Sequence, residues 1–321
     1  MLPTEEILVA ARRALPAWGC DPASVRLIVR GENLSCAVVA DDGERFVLRM
    51  HRPGYNDRIE LESEVAWVRS LADAGLDVAR AVPTLEGSHH ITVELAGEHR
   101  EIGLVSWVEG TPVSELVDEP DADLEAWYRQ IGEIAARIRT HTERWEPPPW
   151  FRRRRWDADG LVGERPLWGR FWDCDLLDAA TRRLLVEARR EMRVRLADLE
   201  AGPGRFGLIH ADLNLGNLLL DGDVMTVIDF DDAGFGFHAH ELAVALQPLS
   251  GSASFETARR SLVEGYRSEH QIDEADLDLF VAMRSLMLVG WYCARPEVRT
   301  PDRLARAVGR AEAASRALLG R

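Results

Sequence analysis

Between Gly207 and Asp232 the chain reads Gly207-Leu208-Ile209-His210-Ala211-Asp212-Leu213-Asn214-Leu215-Gly216-Asn217-Leu218-Leu219-Leu220. After Asp221-Gly222-Asp223 it continues Val224-Met225-Thr226-Val227-Ile228-Asp229-Phe230-Asp231-Asp232. Asp-Gly between two apolar runs is hairpin-turn chemistry, so the spacing predicts strands over 217–220 and 224–229 folded back on each other. Such a hairpin carries the loop before its first strand toward the end of its second, and Asp212, Asn217 and Asp229 are expected to converge. Phosphoryl transfer from a nucleotide needs that set: a carboxylate to orient an attacking hydroxyl and accept its proton, and oxygen ligands for the metal that neutralises the phosphates. Asp212 is the candidate base, and Asn217 and Asp229 are the candidate metal ligands. Asp and Asn are also ordinary turn formers; the complete string at this spacing, carried on apolar strands, is what selects the chemistry.

The rest of the chain supplies room for an enzyme around that hairpin. Its 321 residues allow two or three cores. Short strands are expected at Val25–Val29, Ser35–Ala40 and Arg45–Met50, the last two joined by Asp41-Asp42-Gly43. Asp57 can cap a helix running to about Ala74, and strands follow at Ile91–Leu95 and Glu101–Trp107. From Asp121 the texture turns helical: Leu124, Trp127, Ile131, Ile134 and Ile138 recur at three and four residues. Residues 145–172, rich in Trp, Pro, Arg and Gly, read as an ordered surface insert. Helices are expected near 176–199, 238–249, 253–268, 273–294 and 300–319. The division is therefore a β-rich lobe over 1–108 and a helical lobe over 109–321, hinged at Ser106–Thr111.

With 54 acidic and 39 basic residues the net charge is −15, which gives no electrostatic support to binding nucleic acid or an anionic membrane. Cationic substrates or metal ions fit that balance better. The chain has no lysine, so every basic side chain is an arginine. Cys20, Cys36, Cys174 and Cys293 form no C-x-x-C pair, which argues against a zinc site and a disulfide framework and for a reducing cytoplasm. Met1–Leu15 lacks the apolar core of a signal peptide, and the apolar run Leu279–Cys293 contains Arg284 and is too short to span a bilayer, so no membrane segment is expected.

The string His210-x-Asp212-x-x-x-x-Asn217, followed by Ile228-Asp229-Phe230-Asp231, resembles the catalytic and metal-binding motifs of aminoglycoside phosphotransferase-type kinases. That group includes choline, homoserine, hydroxylysine and methylthioribose kinases and is a branch of the protein-kinase-like fold. The resemblance implies an α+β, two-lobed protein-kinase-like architecture with a small antiparallel β-rich N-lobe and a larger, mainly helical C-lobe. It implies ATP, or GTP in its place, together with Mg²⁺, and a small-molecule hydroxyl acceptor: an aminoglycoside-like antibiotic, an amino alcohol or a hydroxy amino acid. Arg49, in Arg45-Phe46-Val47-Leu48-Arg49-Met50, stands where the family carries its phosphate-contacting basic residue, with Glu64 as its helix carboxylate partner. Guanidinium can contact phosphate in a bidentate manner, with a geometry that differs from an ammonium. The loop Gly31-Glu32-Asn33-Leu34-Ser35 lies where the nucleotide is covered; it lacks G-x-G-x-x-G, and Asn33 and Ser35 could present donors to phosphate or simply form a hairpin turn. The backbone of Ser106, Trp107 and Val108 matches the linker that hydrogen-bonds adenine. His210 matches a histidine that fixes the catalytic loop, and Glu241 stands where relatives carry an aspartate that braces it.

Several residues stay open at this level. Asp231 and Asp232 read either as substrate or metal-shell contacts or as cap and loop carboxylates. The run Arg152–Arg155 reads as an anion contact or as an internally paired or solvated stretch, and Trp150, Trp156, Trp168 and Trp172 as a cleft lining or as packing of the insert. His238-x-His240-Glu241 does not read as a metal site, because residues two apart do not share a helix face. Two other functions compete. A protein Ser/Thr kinase would need a long activation segment, for which residues 230–240 leave no space; a non-catalytic nucleotide-binding pseudokinase is kept open by Glu241 and the glycine-poor loop.

Overall fold

The computed structural model describes residues 2–200, 202–296 and 298–321. Along the first part of the chain run α1 (Thr4–Ala14), β1 (Pro22–Arg30), β2 (Leu34–Ala40), β3 (Arg45–Met50), α2 (Arg58–Asp73), β4 (Ala81–Val82), β5 (His90–Leu95) and β6 (Glu98–Ser106). Next come β7 (Thr111–Pro112), α3 (Val113–Leu116), α4 (Leu124–Thr142), β8 (Arg154–Trp156), α5 (Ala158–Val162) and α6 (Ala179–Glu200). The remainder is β9 (Phe206–Ile209), β10 (Leu218–Asp221), β11 (Val224–Val227), β12 (Gly234–Phe237), α7 (His238–Leu246), α8 (Phe255–Tyr266), α9 (Glu274–Ala294) and α10 (Pro301–Leu318). The fold is α+β and protein-kinase-like. The chain divides into two compact units: residues 1–111 with 145–153 and 219–231, and residues 112–144 with 154–218 and 232–321. A division at 108/109 leaves 145–153 and 219–231 with the helical part, whereas their contacts lie with the β-rich one.

In the first unit the sheet order is β1-β2-β3-β6-β4, with β5 also paired to β6, and the pairings are antiparallel. Period-two burial chooses its faces: Leu34, Cys36, Val38 and Ala40 of β2 are buried while their alternates are half-exposed. Those side chains meet Leu48, Met50, Ile102 and Leu104 and the apolar stripe of α1, Ile7, Ala11 and Ala14. The opposite face carries Arg49, in register with Ser35 on β2 and Gly103 on β6. Helix α2 begins with a capping box in which Asp57 and Glu60 each accept the other's backbone N–H at 3.0 Å. Its Trp67 is fully buried and meets the edge of Phe230. The β10–β11 hairpin is tied to the chain after α2, where Val227 N donates to Asp77 O (2.9 Å) and Ala79 N to Val227 O (3.3 Å).

In the second unit α4 packs on α8, and α9 packs on α7 and α10. Helix α9 is, by length and composition alone, enough to cross a membrane. Here it is a core helix, with Leu277, Phe280, Met283, Leu286, Met287 and Val289 buried. The insert is more regular than its sequence suggests: β8 joins β12 in parallel, and β12 pairs antiparallel with β9. Strands of three or four residues are too short to show a period.

The cysteines correct an expectation. Cys174 and Cys293 are bridged, with Cα atoms 6.0 Å apart, while Cys20 and Cys36 are buried free thiols. The bridge spans 119 residues. Spacing rules see only local pairs, so nothing in the sequence pattern pointed to it, and cysteine usage no longer argues for a reducing compartment.

Candidate active site

The first unit gathers the charged residues expected to serve phosphate and metal. Arg49 Nη2 donates to Asp229 Oδ1 at 2.7 Å. Burial works against the guanidinium charge, but Asp229, Asp231 and Glu64 outweigh it and raise its pKa. Asp229 sits at φ +65°, in the left-handed region that non-glycine residues seldom adopt, two residues past the end of the β11 strand that Asp77 and Ala79 hold. Its carboxylate is well exposed, and with Oδ1 on Arg49 its Oδ2 is the oxygen left for a cation.

Glu64 differs from expectation in its direct partner. Its ion pair is with Arg153 Nη1, at 3.5 Å, and it acts on Arg49 through charge. Arg153 is almost wholly buried; it also donates to Glu60 O, Phe230 O and Asp231 O, each at 2.8 Å. One guanidinium thereby joins α2 to the loop after Asp229. The rest of the arginine run is internally paired too: Arg152 with Asp57, Arg154 with Asp232 at 3.3 Å, and Arg155 with Asp157 at 2.9 Å.

Asp231 is a buried hub. It accepts from Asn33 Nδ2 (2.6 Å) and Asn56 Nδ2 (3.2 Å) and meets His51 Nδ1 at 3.1 Å. Burial alone would raise its pKa; His51, Arg49 and Asn33 reverse that and hold it well below the usual carboxylate range. The Asn33 amide is engaged at both ends, since its Oδ1 also accepts from Arg52 N at 2.9 Å. It anchors the β1–β2 turn instead of turning to a phosphate. Asp232 pairs with Arg154, and its carbonyl accepts from Trp156 Nε1 at 2.9 Å, which favours a structural role for both aspartates over a substrate contact. In the linker, Ser106 N donates to Arg80 O (2.8 Å) and Trp107 N to Arg45 O (3.2 Å). Their carbonyls and the Val108 backbone are what this stretch has left to offer a base.

The second unit builds the loop that carries Asp212 and Asn217. Asp212 is held on both carboxylate oxygens: Asn217 Nδ2 donates to Oδ2 at 2.8 Å and Arg284 Nη2 to Oδ1 at 3.1 Å. Asn217 Nδ2 also donates to Asp212 O at 2.9 Å, so its amide oxygen is the atom that can face a metal ion. His210 Nδ1 accepts from Asp212 N at 3.2 Å, a loop-fixing role. Ala211 lies at φ +64°, and strain of that kind persists only where neighbours over-determine it. Glu241 does so: its two oxygens accept from His210 N (2.7 Å) and Ala211 N (2.8 Å). The longer side chain thus makes the brace for which an aspartate was expected. Burial raises the Glu241 pKa to about 7, with Asp212 adding to the rise against those two hydrogen bonds.

Among the described residues no cluster of three or more His, Cys, Asp or Glu side chains could hold a metal. His240 lies between the rings of Trp156 and Phe280, and burial, reinforced by Arg284, lowers its pKa to about 3. Sequence reasoning missed Arg153, His51, Asn56 and Arg284 as site residues. Two of them carried a signal: Arg153 lies in the flagged run Arg152–Arg155, and Arg284 is the single charge in the run Leu279–Cys293.

Residues 26–280 match a family described as "Phosphotransferase enzyme family". An amicoumacin kinase of Bacillus subtilis (strain 168) is 24% identical over 292 residues, covering 86% of this chain and 82% of the relative. Among solved structures, a microcompartment-associated aminopropanol kinase superposes with TM-score 0.84 at 31% identity, covering 97% of this chain and 96% of that one. An amicoumacin kinase solved with AMP-PNP, Ca²⁺ and Ami superposes with TM-score 0.78 at 18% identity, covering 96% and 93% of the two chains.

Proposed function

The chain belongs to the phosphotransferase enzyme family and is a small-molecule phosphotransferase, and on that premise we propose that it moves the γ-phosphoryl group of ATP, with Mg²⁺, onto a hydroxyl of an amine-bearing small molecule, an amino alcohol before an aminoglycoside-like antibiotic or a hydroxy amino acid. The observation that carries the reaction is the Asp212 carboxylate, fixed on both oxygens and set on a strained loop that Glu241 braces. The acceptor preference is supported by the aminopropanol kinase at 31% identity over nearly the whole chain, and by the −15 charge.

The acceptor hydroxyl donates its hydrogen bond to Asp212 and its oxygen attacks the γ-phosphorus. An O–P bond forms as the bond from γ-phosphorus to the β–γ bridging oxygen breaks, the electron pair leaves with ADP, and the proton passes to Asp212 late, as a loose transition state requires. Arg49 steadies the α- and β-phosphates. Ser35, opposite it in register, and the Val108 backbone contact the nucleotide. Asn217 and Asp229 are the residues that would each offer an oxygen to Mg²⁺, which would supply neutralising charge to the phosphates. A cytoplasmic location, where ATP is supplied, is part of this proposal. The intact Glu241 brace and the Asp212–Asn217 pair favour turnover over a non-catalytic nucleotide binder.

Incubation with Mg-ATP and separate amino alcohols, aminoglycosides, hydroxy amino acids and a generic protein substrate, with products identified by mass, tests the reading. Phosphorylated amino alcohol is the expected product. Phosphorylation of the protein alone would overturn the proposal in favour of a protein kinase.

A further inference from the structure

Arg284 brings a permanent positive charge to the catalytic carboxylate from an otherwise apolar stretch of α9. It is 5% exposed, its Nη2 lies 3.1 Å from Asp212 Oδ1, and its guanidinium lies over the ring of Trp168, 3.8 Å from the centroid. Trp168 is itself buried, set edge-on to Trp156 and tilted on Trp291. The segment that presents Trp168 is fastened directly to α9. Gly169 and Gly290 meet backbone to backbone, so that a Cβ on Gly290 would stand 2.5 Å from Gly169 O. Five residues beyond Gly169, Cys174 is bridged to Cys293 in the last turn of α9.

A buried arginine is costly unless paired, and an aromatic platform with a covalent tie is more structure than an ion pair needs. We infer that Arg284 is a positioning residue for phosphoryl transfer. It fixes the rotamer of Asp212 by holding Oδ1 while Asn217 holds Oδ2, so that the carboxylate presents one orientation to the acceptor hydroxyl; the docked segment carrying Trp168 holds Arg284 in place. The inference rests on the kinase reading of Asp212. Such fixing suits the reaction, because a loose transition state needs alignment more than basicity.

The test uses the full chain with Mg-ATP and the best acceptor, comparing wild type, Arg284→Ala, Arg284→Lys, Trp168→Ala, Asp212→Asn and the double variant Arg284→Ala/Asp212→Asn. A misplaced catalytic group costs about 10²-fold, so Arg284→Ala should lose about that factor in kcat with the KM for ATP held within about twofold. Arg284→Lys should retain more activity, and added guanidinium should partly restore Arg284→Ala. In the Asp212→Asn background, Arg284→Ala should have no further effect, because groups acting as one unit are not additive. Nucleotide-induced thermal shifts confirm that each variant is folded and binds ATP. A fall in ATP affinity equal to the fall in kcat, or multiplicative losses in the double variant, would overturn the inference while leaving the kinase intact. A wild type that binds ATP and phosphorylates nothing would overturn the kinase reading itself, and the inference with it.

Discussion

Asn33, in the turn between β1 and β2, donates a 2.6 Å hydrogen bond to Asp231, 198 positions away and two residues past the candidate metal ligand Asp229. The turn that would cover a nucleotide and the loop that would hold its metal are thus one hydrogen-bonded body, completed by His51 and Asn56. Replacing Asp231 with Asn presents an amide to the Asn33 and Asn56 donors. The expected cost is about 3–5 kcal/mol of stability, the range for removing one partner from a buried charged set, read by urea unfolding. A loss near zero would show the hub to be incidental.

Arg153 makes a parallel case through a different element. It ties α2 to the carbonyls of Phe230 and Asp231 and is the ion-pair partner of Glu64. Arg153→Ala leaves a buried carboxylate without its cation, and unfolding should occur with about 3 kcal/mol or more less stability. Arg153→Ala/Glu64→Gln should recover part of that loss, which equilibrium unfolding of the two variants measures.

Arg49 has a separable role. Arg49→Ala should raise the KM for ATP by at least about tenfold, equivalent to about 1.4 kcal/mol of lost binding, and Arg49→Lys should fall between it and wild type. Steady-state kinetics at saturating acceptor check this, and an unchanged KM would remove Arg49 from the phosphate site.

Glu241 gives a pH signature of definite sign. Its folded pKa is raised to about 7 from the ordinary 4.5 by burial. Between those values the native state holds more protons than the unfolded state, so its contribution to stability is full below pH 4.5 and is lost as pH rises through 7. The slope approaches about 1.4 kcal/mol per pH unit. Glu241→Gln should abolish that part of the slope, as thermal unfolding across pH 5–8 would show; an unaltered slope would mean that other groups set it.

The cysteines can be counted directly. Denatured without reductant, the protein should titrate two thiols, Cys20 and Cys36, and after reduction four. Four thiols before reduction would exclude the Cys174–Cys293 bridge.

Much of this architecture is readable in the sequence because its determinants are local. The Asp57 cap, the period-two burial of β2 and the Asp-Gly turn between β10 and β11 act within a few residues, and the motif around Asp212 and Asp229 rides on that hairpin. What was not legible is non-local. Arg153 reaches Glu64 across 89 positions and Arg284 reaches Asp212 across 72, and no periodicity encodes either pairing. The same reason hides the Cys174–Cys293 bridge and the short β8–β12–β9 sheet. Glu64 was expected beside Arg49, and its direct ion pair is instead with Arg153, a partner that no local pattern supplies.

The most direct measurement is acceptor-dependent ADP formation with Mg-ATP by wild type and by Asp212→Asn, run side by side with nucleotide binding. The expected result is transfer in the wild type that falls by at least about 10³-fold in the variant (about 4 kcal/mol of lost transition-state stabilisation) while ATP binding persists. Equal transfer by both proteins would contradict the assignment of Asp212 to the reaction.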